Sequence, residues 1–254
     1  MPRKLGRRKT IRNPERSVAH RFVLIAFLLP GILIGFSVSP AAAQGPAASA
    51  LDIRLVTDEA DAVMLILQKT KAGEPVAAAD WDHLFSTEGY VRLKKREQSL
   101  KRPFEDEDFR KFVLSAELAA RADALAATLE RWKRADLRVA VDRALAYLPS
   151  RTAIRAKVYP VIKPKTNSFV FELQTNPAIF LYLNPEMNSA QFENTVAHEL
   201  HHIGLAAACL PANETEEFKN KPAEVRAVLE WAGAFGEGVA MLAAAGGPDV
   251  HPFS

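Results

Sequence analysis

Between Asp108 and Leu148 the chain is rich in alanine and contains no glycine, whereas from Ala153 to Leu183 it turns to short segments rich in β-branched and aromatic residues. The first stretch reads as one or two long helices, closed by Pro149. The second holds "AIRAKVYPVI" (Ala153–Ile162), "SFVFEL" (Ser168–Leu173) and "AIFLYL" (Ala178–Leu183), separated by "KPKTN" and "QTNP". Lysine, proline, threonine and asparagine between apolar runs are turn chemistry, so the spacing predicts a small antiparallel sheet. Upstream, Leu51–Gly73 reads as one helix stopped by Gly73, and Ala78–Lys95 as another with Trp81, Leu84 and Phe85 on one face. The charged run Arg92–Phe112 reads as a solvated, salt-bridged surface around a turn at Pro103. The fold class expected is therefore α+β and helix-rich, with a small antiparallel sheet packed on the helix that follows it.

The N-terminal 43 residues stand apart from this fold. Eight basic residues and one acid precede Arg21 and include it, the apolar run Phe22–Phe36 follows, and "SVSPAAAQ" offers small residues at Ala41 and Ala43. Basic head, short apolar run and small-residue cleavage site make a secretory signal peptide. Residues 1–43 are thus expected to be removed, 44–50 to be a linker, and 51–254 to form one domain. Its helical part runs to about residue 150, and the sheet and later helices start from about residue 153. The alternative is an uncleaved signal anchor, against which stand Pro30-Gly31 and a run shorter than the roughly 20 residues of a spanning helix. Without the segment's +7, the chain's net charge of +3 becomes −4, so its basicity is no argument for nucleic-acid binding. Cys209 is the single cysteine, which excludes an intramolecular disulfide. It reads as a buried small side chain rather than a zinc ligand.

"NSAQFENTVAHELHHIGLAAA" is a helix with Asn188 as N-cap and Gln191 at the capping-box position. Within it "AHELHH" contains H-E-x-x-H as His198, Glu199 and His202. At 100° per residue His202 lies about 40° round the helix from His198, so both imidazoles reach one ion, and Glu199 lies about 100° away, beside it. Zinc takes four ligands in a tetrahedron and keeps one position open for chemistry. Glu199 then suits a general base. His201, about 300° round, flanks the pair on the other side, as a rim residue or a histidine supporting the ligands from behind.

The third ligand must come from elsewhere. A metzincin needs glycine at Leu205 and histidine at Ala208, which excludes that class. The final helix expected, Pro222–Gly246, carries Glu237 between two glycines, and small residues at Gly236, Gly238 and Ala240 allow close approach of two backbones. Gly233, Gly236 and Gly238 also make a kink or break possible there. Glu230, two turns earlier on the same face, is the alternative third ligand, with Glu224 and His251 weaker. Tyr182, Tyr90, His201 and His251 are the groups available to stabilise an oxyanion or line the rim. Tyr182 is favoured among them by its place in the strand just before the motif helix.

H-E-x-x-H followed on a later helix by "EGVA" resembles the gluzincin arrangement. "WDHLFSTEGYVRLKKRE", "HELHHIG" and "GEGVAMLAAAGGPDVHP" together resemble a zinc-dependent peptidase family of exported bacterial proteins, over about Ala50–Pro252. The resemblance implies Zn2+ held by His198, His202 and Glu237, with Glu199 as catalytic base, in a zincin-like core. Met241 stands where the thermolysin-type pattern has an aspartate, so that continuation is missing. The function expected is exported metallopeptidase activity on a peptide or protein substrate, with no nucleic-acid partner and no membrane span after signal cleavage. The alternative is a zinc-binding, non-catalytic envelope protein, either a degenerate peptidase or an interaction module.

Overall fold

A computed structural model describes residues 51–209, 220–247 and 249–250. The expected signal peptide, the linker and His251 lie outside the described residues, as do the side chains of Cys209 and Glu230. The elements are β1 (Leu51–Leu55), α1 (Asp58–Ala72), α2 (Ala78–Ser86), α3 (Glu88–Ser99), α4 (Asp106–Val113), α5 (Ala116–Lys133), α6 (Leu137–Leu145), β2 (Ile154–Val161), β3 (Phe169–Phe171), β4 (Ala178–Tyr182), α7 (Ser189–Cys209) and α8 (Ala223–Ala245). This is a helix-rich α+β fold.

The sheet is mixed rather than antiparallel. Its order is β1-β2-β4-β3, with β1 and β4 both parallel to β2 and only β3 antiparallel to β4. The segment after β2 is therefore a crossover and not a hairpin: it carries the chain past the slot into which β4 later inserts. Burial explains the order. All five residues of β4 are buried, and each large apolar side chain removed from water contributes about 1.5–3 kcal/mol. Such a strand belongs in the middle, and the three half-buried residues of β3 take the edge. Ile154, Val158, Ile179 and Leu181 face the main core, while Tyr159, Val161, Ala178 and Phe180 form a second layer with Leu93 of α3. In that layer Phe180 stacks between Tyr159 (centroids 4.9 Å apart) and Phe169 (5.1 Å).

Three expected helices are divided, the first by a strand and the other two by local caps. Leu51–Leu55 is an edge strand, because Leu51, Ile53 and Leu55 alternate inward while Asp52 and Arg54 pair on the outside. Only Asp58–Ala72 of that segment is helix, and Gly73 ends it at φ 70°, with its N–H on the Thr70 carbonyl. Thr87 splits Ala78–Lys95: its hydroxyl accepts from Tyr90 N, and the Asp58 carboxylate accepts from Glu88 N at 2.7 Å and Gly89 N at 3.2 Å. Gly89 is needed there, since a Cβ would stand 2.9 Å from Asp58 Oδ1. Ser115 and Asp136 cap α5 and α6 in the same way, turning the alanine-rich run into three helices.

The charged run is less solvated than its composition implies. Arg92 and Glu97 are buried; Arg92 donates to the Tyr159 hydroxyl and pairs with Glu172 at 2.7 Å, tying α3 to the β3–β4 turn. α8 runs unbroken through Gly233, Gly236 and Gly238. α7 is the hub of the C-terminal half, packed along α8 and α6 and across β2. Among the described residues no helix is long and apolar enough to cross a membrane.

Candidate metal centre

The N-terminus of α7 forms the capping box its sequence spells: Gln191 N donates to Asn188 Oδ1 at 2.9 Å, and Asn188 N to Gln191 Oε1 at 3.0 Å. Phe192, Val196, Leu200 and Ile203 bury one side of the helix, which fixes its rotation. Gly204 lets it seat closely, because a Cβ at that position would collide with Leu148. With the rotation set, His198 and His202 project together, and their Nε2 atoms stand 3.0 Å apart.

α8 completes the cluster. Ala240 is fully buried, and Gly236 faces Leu205 so closely that a Cβ would come within 3.3 Å of it. Gly238 takes no part in this approach and faces open space. The close packing brings Glu237 Oε2 to 3.5 Å from His198 Nε2 and 3.4 Å from His202 Nε2.

The donor set and its spacing suit zinc. Bonds of about 2.0–2.1 Å in a tetrahedron separate neighbouring ligand atoms by roughly 3.3 Å, and the three separations here are 3.0, 3.4 and 3.5 Å. Among the described residues this is the one group of three such side chains that could hold a metal ion. Burial lowers the pKa of both imidazoles. For His198 the positive charge of His202 adds to that shift, so the neutral, ligating form is favoured. Burial, and secondarily the Glu237 charge, push the Glu199 carboxyl up to about 7. A cation among the ligands acts in the opposite direction.

The other residues singled out in the sequence are placed elsewhere. His201 is buried, with Nε2 3.3 Å from the Tyr147 carbonyl, and so faces the α6 end rather than a rim. The Tyr182 hydroxyl accepts from Arg121 Nη2 at 2.8 Å, and that of Tyr90 donates to Asp106. Both are anchors of the fold in this arrangement. Glu224 is exposed at the start of α8, about 20 Å along the helix from Glu237. The Tyr147 carbonyl facing His201 went unseen in the sequence, because a main-chain acceptor leaves no residue-type signal.

A family model described as "Putative zinc dependent peptidase (DUF5700)" matches residues 81–252, from α2 to beyond α8 and about two thirds of the chain. The chain belongs to this family. The match includes every residue of the His198–His202–Glu237 cluster and leaves β1 and α1 outside it, although both pack into the same core. No curated protein and no solved structure matches the chain.

Proposed function

We propose that this family member is an exported zinc-dependent metallopeptidase. In this reading His198, His202 and Glu237 hold the zinc, and Glu199 is the catalytic base. The observation that carries it is the convergence of three ligand atoms from α7 and α8 at tetrahedral-edge spacing, beside a half-buried carboxyl. Zinc bound there supplies Lewis-acid chemistry toward a peptide carbonyl and water. Glu199 takes a proton from the attacking water as the new C–O bond forms, then delivers it to the amine nitrogen as the C–N bond breaks. A carboxylate beside the metal position can hold that proton between the two transfers. The three ligand atoms already stand 3.0, 3.4 and 3.5 Å apart, so the ligand geometry does not have to be assembled on binding.

Residues 1–43 serve as the export signal in this reading, and the mature chain begins at Gln44. The test is Glu199→Gln, assayed on protein without a histidine tag. Peptide hydrolysis is expected to fall by about 10²–10⁴-fold, while zinc per chain stays at the wild-type level. A wild type that binds zinc and cuts no peptide would instead support a non-catalytic metal protein.

A further inference from the structure

A cavity of about 540 Å³ opens against His198, between the N-terminal half of α7, the C-terminal half of α8 and the segment joining β4 to α7. A larger cavity of about 950 Å³ lies across the sheet end, near Arg54 and Arg155, and no residue of the proposed metal centre lines it. The smaller cavity is thus the one continuous with the chemistry. Met187 and Met241 give it adaptable apolar walls, and Ala244 is a small buried residue beside them.

Its polar lining is directional. Asn184 Oδ1 accepts from Glu186 N at 3.1 Å, and Gln191 Oε1 accepts from Asn188 N at 3.0 Å in the capping box. Both amide oxygens are committed to main-chain donors, so these side chains offer their –NH2 groups to a ligand. Glu186, exposed at the cavity's edge, offers a carboxylate acceptor. Asn194 Oδ1, also in the lining, accepts from Arg143.

Two N–H donors, one carboxylate acceptor and a thioether-lined wall match a side chain with an apolar stem and a terminal primary amide. We propose that this cavity is the substrate's side-chain subsite next to the scissile bond, and that it selects glutamine or asparagine. The amide oxygen accepts from Asn184 Nδ2 and Gln191 Nε2, and the amide nitrogen donates to Glu186. A glutamate substrate meets Glu186 as a like charge, a lysine leaves the two donors unpaired, and a leucine leaves all three groups unpaired. The assignment rests on the peptidase reading for its place beside the scissile bond, but not for its recognition chemistry.

The test varies the two positions flanking the cleaved bond among glutamine, glutamate, lysine and leucine, in otherwise identical peptides. Glutamine at one of them is expected to give kcat/KM about tenfold or more above the others. Gln191→Glu keeps the capping acceptor and removes a donor, so the fold is retained and the preference should collapse. Glu186→Gln should raise glutamate substrates toward glutamine. A parallel arm uses zinc-loaded Glu199→Gln and fluorescence anisotropy with the same labelled peptides. Glutamine-selective binding without hydrolysis by the wild type sinks the peptidase reading and keeps the subsite. Cleavage without side-chain preference, or a preference that survives Gln191→Glu, overturns the subsite and leaves the peptidase reading in place.

Discussion

At the scale of single residues, the His198–His202 pair was legible because its signal is local: a spacing of four on a well-capped helix puts two imidazoles on one face whatever the rest of the chain does. Glu237 was legible only as one carboxylate among rivals, since the 34 positions between it and His202 set no distance. Glu237→Ala is expected to weaken zinc binding by at least about 100-fold in competition titrations with a chelator, and Glu230→Ala to leave it unchanged. The opposite ranking would move the ligand assignment to Glu230. A second residue-scale expectation concerns Glu59, which is buried, with Oε2 accepting from Ile162 N and Oε1 unpartnered. Burial raises its pKa well above the usual carboxylate range. A carboxyl raised in the folded state favours folding fully below its unfolded pKa, and that contribution is lost as pH rises through the folded value. Denaturant unfolding of Glu59→Gln should therefore gain on the wild type steadily as pH rises from about 4 to 8. A difference that stays flat with pH would show that folding does not raise the Glu59 pKa.

At the scale of elements, the closeness of α7 and α8 decides whether three ligands can meet. Glycines at positions 236 and 238 look equivalent in the sequence and are not equivalent in space: the first abuts Leu205 and the second faces nothing within 4 Å. Gly238→Ala should raise stability by about 0.5–1 kcal/mol, the helix-propensity gain with no contact to offset it. Gly236→Val should push α8 from α7 and lower zinc affinity with little change in helix content. The pair of variants, followed by thermal melts and zinc titration, separates helix propensity from helix approach. The helix breaks at Thr87, Ser115 and Asp136 belong to the same scale. Each cap was present as a residue type, but propensity summed over an alanine-rich run outweighs one polar residue until the returning chain is there to reward the turn.

Across the whole molecule, the proposed zinc joins two helices that are far apart in the chain, so it should act as a cross-link on the fold. Binding that occurs only in the folded state at a hundredfold excess over Kd adds about 2.7 kcal/mol. For a domain of this size that is roughly 5–10 °C in Tm by calorimetry, removed by chelation and restored by zinc. An unchanged Tm on chelation would speak against a site spanning α7 and α8. Helix content, the positions of β2, β3 and β4, the capped motif helix and the candidate ligands were determined by the sequence alone, because periodicity, turn chemistry and caps are written within a few residues of where they act. The strand order, the parallel pairing of β2 with β1 and β4, the pairing of His201 with Tyr147, and the approach of Glu237 to the histidines were decided only by tertiary structure. Each depends on which distant surfaces bury one another, and burial is a property of the folded whole that no short stretch of sequence contains.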